Sequence, residues 1–152
     1  VRLVSVRGGR TVSAAEFFTG PLSTSAADDE LVVEAVFPGR RSHSGSAFVE
    51  VSRRHGDYAI CGAAVCVTVG DDGELLTARA AFVSVGPTPV VVELSDAVAG
   101  ADLGGDLSAV RDTTYAAVNP EADIHASAEY RRQLAGVLAV RGVRQAAQLA
   151  AA

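Results

Sequence analysis

Residues 58–85, YAICGAAVCVTVGDDGELLTARAAFVSV, constrain the fold of this chain more than any other stretch. Two long apolar, β-branched runs, Tyr58 to Val69 and Leu75 to Val85, flank Asp71-Asp72-Gly73. An Asp-Gly turn between two such runs predicts an antiparallel hairpin, because glycine accepts the positive φ that a tight turn needs. Ala47 to Ser52 reads as a third strand ahead of it, and Gly86-Pro87-Thr88-Pro89 breaks the sheet behind it.

Three helical segments follow. One runs from about Val91 to Val98 and stops at Gly100, and the next from about Ser108 to Val118, stopping at Asn119-Pro120. The last starts near Ala126 and runs towards the end. On it Tyr130, Leu134, Val137 and Leu138 share a face, with Arg131, Arg132, Arg141 and Arg144 mostly off it, so the expected element is an amphipathic helix across the sheet. The final AAQLAAA reads as a fraying end. These elements predict an α+β layer: a small antiparallel sheet of three to four strands packed with three helices.

A different unit precedes it. Val1 to Arg7 alternates like a strand, Gly8-Gly9 reads as a turn, and Ser13-Ala-Ala-Glu16 has capping-box spacing for a short helix through Phe17 and Phe18. Asp28-Asp29-Glu30 leads into LVVEAVF, a strand ended by Pro38, and GRRSHSGS over Gly39 to Ser46 reads as a boundary or an exposed loop. The expected units are residues 1–42 and 43–152.

Composition narrows the function classes. All 13 basic residues are arginine, the net charge is −5, and no basic stripe stands out, so no nucleic-acid partner is expected. No apolar run approaches the ~18 residues of a membrane span, and the first ten residues lack the apolar core of a signal peptide. Cys61 and Cys66 have an odd offset, which on one strand sends them to opposite faces ~16 Å apart, too far to pair. The chain therefore reads as cytoplasmic and soluble, with buried thiols.

Chemistry-bearing clusters are few. His55 and Cys61 could form a Cys–His pair, but an apolar strand raises a thiol pKa and argues against a nucleophile. His43, His55 and His125 are too dispersed for a metal site, and the Asp71-Asp72 pair is a turn signal. The glycines of VRGGR open no helix of the kind that binds phosphate. That leaves SRRHGDY, Ser52 to Tyr58. It can be a solvated loop in which Arg and Asp pair, Gly56 turns and Tyr58 starts the core. It can equally be a polar lip along a planar cofactor, with a ring at its end and Asp57 or arginines fixing polar edges.

Four ordered blocks carry a family resemblance: TVSAAEFFTGPLSTSAADDELVVEAVFP, FVEVSRRHGDYAICGAAV, VGPTP and DIHASAEYRRQLAGVLAVRGV. They resemble the medium, FAD-binding subunit of molybdenum hydroxylases, the group of carbon monoxide and xanthine dehydrogenases. The resemblance implies that residues 43–152 are the C-terminal domain of that subunit and residues 1–42 the end of its FAD-binding domain. It implies partners as well: a large molybdopterin subunit, a small subunit with two-iron two-sulfur clusters, and an upstream half of the same subunit carrying the glycine-rich FAD cradle. Electrons would pass from the iron–sulfur clusters to FAD and on to an external acceptor.

Carried over residue by residue, Tyr58 stands where a residue, often aromatic, covers the flavin ring, with Arg53, Arg54, Gly56 and Asp57 in the loop beside it. Val32 matches a backbone contact to FAD. Val49 replaces a flavin-contacting lysine of the xanthine dehydrogenases, which leaves a backbone or apolar contact. The alternative function is a non-catalytic module that docks partner subunits.

Overall fold

The computed structural model describes residues 1–101 and 104–151. The chain divides into two compact units, Val1–Arg40 and Arg41–Ala152.

In the first unit, strands β1 (Arg2–Ser5), β2 (Gly8–Thr11) and β5 (Leu31–Glu34) form an antiparallel sheet in the order β2-β1-β5. Between them lie helix α1 (Ala14–Phe17) and a two-stranded ribbon of β3 (Phe18–Gly20) and β4 (Ser23–Thr24). Its core is small: Leu3, Val12 and Phe17. Ser13 caps α1, its hydroxyl accepting from the Glu16 backbone N–H while the Glu16 carboxylate returns to Ser13, the reciprocal bonding that the sequence spacing predicts.

Three expectations shift here. The turn after β1 falls on Val6-Arg7, and Gly8-Gly9 already pair with Ser5 and Val4 in β2. Phe18 leaves the helix for β3, where it packs edge-on against Phe17 with ring centres 5.1 Å apart. Strand β5 stops at Glu34, so Val36 and Phe37 are exposed rather than paired.

The second unit is a four-stranded antiparallel meander, β6 (Ser44–Val51), β7 (Cys61–Val69), β8 (Leu75–Val83) and β9 (Val90–Glu93), followed by α2 (Ser95–Val98), α3 (Ser108–Ala117) and α4 (Ala128–Ala150). The Asp71-Asp72-Gly73 hairpin forms as predicted: Gly73 has φ +84°, and the Asp72 carboxylate accepts from the Glu74 N–H. Alternation along β7 and β8 sends Val65, Val67, Ala80 and Phe82 inward under the helices, while Ala64, Cys66 and Arg79 face out. One face is thus covered by helix and the other open.

The expected helix from Val91 gives way to β9, because three consecutive valines before Glu93 extend the ladder onto β8 instead, and only Ser95–Val98 is helical. Strand β7 starts at Cys61, so Tyr58 lies in a loop and does not begin the core. Strand β6 already includes Ser44-Gly45-Ser46, which the sequence left in the boundary segment. Cys61 is buried but Cys66 is exposed, correcting the expectation of two buried thiols.

The largest correction concerns α4. Its buried seam is Arg131, Ala135, Leu138, Ala139, Gly142, Val143, Ala146, Ala147 and Ala150, and Tyr130 and Val137 are about half exposed. Small residues win because the helix lies close on β6 and β7. A Cβ on Gly142 would come within 2.5 Å of Val65 Cγ2, and one on Gly45 would run into the Ala146 carbonyl of the last turns. The alanine tail therefore closes the core over the start of β6 up to Ala150, where fraying was expected; Ala152 lies outside the described residues.

Candidate functional site

Residues 52–60 form the connection between β6 and β7. Its base is closed by the Ile60 N–H donating to the Val51 carbonyl at 2.8 Å. Within it the Arg54 carbonyl accepts from the Asp57 N–H at 3.1 Å and from the Ser52 hydroxyl at 3.0 Å, so the chain turns tightly there. Gly56 supplies the left-handed conformation at φ +88°, with open space where a Cβ would be. The loop is built by its backbone rather than by an ion pair: among the described residues Asp57 makes none with Arg53 or Arg54.

Beyond this turn Tyr58 is completely exposed. A tyrosine so placed buries none of its large ring area and leaves the ring free for a planar partner. Arg53, Arg54, His55 and Asp57 precede it in the loop and are all exposed. Two carbonyls directly after the ring are held by side chains, Ala59 by the Ser84 hydroxyl at 2.8 Å and Ile60 by Arg131 Nη1 at 2.7 Å. The loop therefore projects a free ring from a fixed base.

The other predicted contacts sit elsewhere. Val49 is on β6 with its side chain buried beneath α4, near Gly142, so the side chain is committed to the core. Val32 lies on β5 opposite Leu3, half exposed, on the outer strand of the first unit's sheet. The sequence pattern placed Arg131 off the buried helix face, where the structure buries it, and gave no role to Ser84 or Asp123. Arg131 was legible in principle, because extending the Ala135, Leu138, Gly142 spacing one turn back lands on it. Ser84 carries no such signal; its φ of +63° shows only in the folded chain.

Burial pushes the Cys61 thiol up to about 11, against a smaller opposing pull from the Arg131 charge. That is a poor nucleophile, and His55 is on the exposed loop. Among the described residues no group of three His, Cys, Asp or Glu side chains could hold a metal ion, and no helix is long and apolar enough to cross a membrane. The residues of the loop fit one face or edge of a planar, polar-rimmed ring: an unburied phenol ring flanked by arginine donors and a carboxylate acceptor.

Residues 46–146 match the model of the CO dehydrogenase flavoprotein C-terminal domain. The chain is 37% identical over 143 residues to the caffeine dehydrogenase subunit beta of Pseudomonas sp. (strain CBB1), covering 93% of this chain and 48% of that protein. It is 31% identical over 146 residues to the carbon monoxide dehydrogenase medium chain of Afipia carboxidovorans, covering 95% and 50%. Among solved structures it superposes on a chain of the reconstituted CO dehydrogenase from Oligotropha carboxidovorans with a TM-score of 0.83 at 28% identity, over 97% of this chain and 52% of that one. Quinoline 2-oxidoreductase from Pseudomonas putida 86 gives a TM-score of 0.81 at 28% identity, over 99% and 53%. The chain spans about half the length of the curated relatives it matches. With an antiparallel sheet packed under helices, as its sequence blocks imply, the chain belongs to the CO dehydrogenase flavoprotein C-terminal domain family, that of the FAD-binding medium subunits of molybdenum hydroxylases.

Proposed function

We propose that this chain serves as the C-terminal part of the flavoprotein subunit of a molybdenum hydroxylase, helping to hold FAD and to control access to it. The observation that carries this reading is the family match over residues 46–146, which spans the whole 52–60 loop and the elements that support it. In this reading residues 1–42 end an FAD-binding domain and residues 43–152 form the C-terminal domain of the same subunit.

FAD, when bound, accepts electrons delivered from iron–sulfur clusters and passes them to an external acceptor. The protein's part is positional. Tyr58 offers a planar face for the isoalloxazine ring, and Asp57 an acceptor beside it. Val32 contributes backbone groups from the outer strand β5, which has no strand neighbour on one side among the described residues. Val49, with its side chain in the core, is left with a backbone role and brings no cation to the ring, which favours the oxidised, less negative flavin relative to a lysine at that place. The molybdenum cofactor and the two-iron two-sulfur clusters belong to a large and a small partner subunit, and the phosphate cradle for FAD to the upstream half of the same subunit. The complex works in the cytoplasm.

The test uses a full-length subunit containing this chain, assembled with its partners. Tyr58→Ala is expected to shift the flavin absorption bands and to change the KM for the electron acceptor several-fold, with substrate oxidation at the molybdenum site intact. A spectrum and acceptor KM identical to the parent would remove the ring contact from Tyr58.

A docking role without flavin contact is the second reading, and one observation favours it. Phe48, Ala64, Ala81 and Val91 lie in register across the open face of the sheet, and Phe48 and Val91 are more than half exposed. Copurification of the partner subunits with this chain alone, free of flavin, would favour that reading over the first.

A further inference from the structure

Arg131 is buried, only 6% exposed, on a helix face otherwise made of alanine, glycine, leucine and valine. Its guanidinium ties together three segments far apart in sequence. Nη1 donates to the Ile60 carbonyl at 2.7 Å and to the Ser84 carbonyl at 3.0 Å, and Nη2 donates to Asp123 Oδ2 at 2.6 Å. Ser84 in turn sends its hydroxyl to the Ala59 carbonyl at 2.8 Å, from a backbone at φ +63° that a serine seldom adopts. The two residues that follow Tyr58 are thereby anchored through their carbonyls, one by each side chain.

These contacts are not what simple stability would select. Burying a guanidinium carries a desolvation penalty that an aliphatic side chain in the same seam would avoid. Here Nε is also buried without any partner, so the arginine is not fully satisfied. What an aliphatic residue could not do is fix the entry to β7, the exit from β8 and the segment before α4 against one rigid, planar fork. That constraint converges on the base of one loop, and the loop's outstanding feature is the free ring of Tyr58.

We propose that Arg131, seconded by Ser84, is a positioning residue for Tyr58: it fixes the base of the 52–60 loop and so sets where the ring stands against the group it covers. This rests on the reading of Tyr58 as a flavin-side ring. Arg131 touches no cofactor itself; it acts through the carbonyls of Ala59 and Ile60, one directly and one by holding Ser84.

The experiment compares Arg131→Gln, Arg131→Lys, Ser84→Ala and Tyr58→Ala in the full-length, FAD-loaded complex. It follows amide exchange at residues 59–61, FAD content, the flavin absorption bands and acceptor KM against kcat. Arg131→Gln is expected to speed exchange at Ile60 by about tenfold or more, since a charge-assisted bond is lost at the loop base. FAD content stays at the parent level, while the bands and acceptor KM move in the same direction as in Tyr58→Ala. Arg131→Lys recovers part of both, and adding Arg131→Gln to Tyr58→Ala shifts the bands no further.

If Tyr58→Ala moves the bands and Arg131→Gln does not, the positioning role is overturned and the reading of Tyr58 stands. If Tyr58→Ala moves nothing, that reading falls and the positioning role falls with it. Should Arg131→Gln fail to fold, Ser84→Ala decides the matter, because it frees the Ala59 carbonyl and leaves the buried guanidinium in place. A band shift in the Tyr58→Ala direction supports the proposal, and parent-like bands overturn it.

Discussion

Cys61 and Cys66 share strand β7 and meet opposite environments, because an odd offset along a strand reverses the side-chain direction. Cys61 faces the helices, where burial raises its thiol to about 11, while Cys66 lies on the open face. Two units above the ordinary value cut the thiolate fraction about a hundredfold, before any loss of access is counted. At mildly alkaline pH an alkylating reagent is therefore expected to modify Cys66 in the native chain and to leave Cys61 until the protein is unfolded. Peptide mass spectrometry reads this directly. Labelling of Cys61 as fast as Cys66 would show that the β7 face assignment is wrong. The same parity was available from the sequence; which of the two faces is open was not, because that depends on where α4 lies.

At the scale of elements, the seam between α4 and the sheet turns on glycine. Gly45 on β6 has the Ala150 N at 2.6 Å from where its Cβ would be, with the Ala146 carbonyl closer still. Gly62, on the open face of β7, would meet only side chains, Val83 Cγ2 at 3.0 Å and Phe48 Cζ at 3.2 Å. Replacing a strand glycine by alanine gains about 0.5–1 kcal/mol from backbone entropy, and overpacking against backbone costs about 1–3 kcal/mol or more. Gly45→Ala is expected to lose, with a net destabilisation of about 1–2 kcal/mol. Gly62→Ala should stay within about 0.5 kcal/mol of the parent, since Val83 and Phe48 can swing aside. Urea midpoints of the two variants check this, and equal midpoints would mean that α4 does not press on β6.

The β7–β8 hairpin was legible because alternation, β-branching and an Asp-Gly turn all agree over residues 58–85. So was the α1 capping box. The face of α4 was not, because hydrophobicity singles out Tyr130 and Val137, whereas close approach selects Ala135, Gly142 and Ala146. Strand β9 was missed for a related reason: Val90 to Val92 is a short apolar run, and only pairing with Ala80 and Phe82 decides its form. In the loop, Gly56 and Tyr58 were visible as residue types. The clamp from Arg131 and Ser84 was not, since it joins segments that only the fold brings together.

Across the whole molecule, two arginine–carboxylate clamps, one in each unit, hold a carboxyl well below its ordinary range, and acid releases both. In the first unit Arg10 grips Glu30 through Nε at 2.7 Å and Nη2 at 2.8 Å, and also donates to the Ser25 carbonyl. This hydrogen bonding, with the Ala27 N–H and the nearby arginine charges, holds the Glu30 carboxyl down to about 2. In the second unit the bond from Arg131, joined by the His125 and Ala126 N–H groups, holds Asp123 down to about 2. Both folded values lie below the ordinary 4.5 and 3.8, so the unfolded chain binds more protons as pH falls. The stabilisation is therefore complete above about pH 5 and is lost as pH drops through about 4 towards 2.

The two units do not have equal reserves against that loss. The first encloses only Leu3, Val12 and Phe17, whereas the second buries a continuous core from Val49 to Ala150. Taken by itself, as in this chain, a unit of about 40 residues with so small a core is marginal, so the same loss takes a larger share of its stability. Acid unfolding is expected to proceed in two steps, with peptides of residues 1–40 losing exchange protection at higher pH than those of residues 61–83. Glu30→Gln should lower the neutral-pH protection of the first unit and flatten its pH dependence between about 5 and 2, while leaving the second unit's acid midpoint in place. Asp123→Asn should do the reverse. Simultaneous loss across both sets of peptides, unmoved by either substitution, would mean that these clamps do not govern the acid stability of the chain.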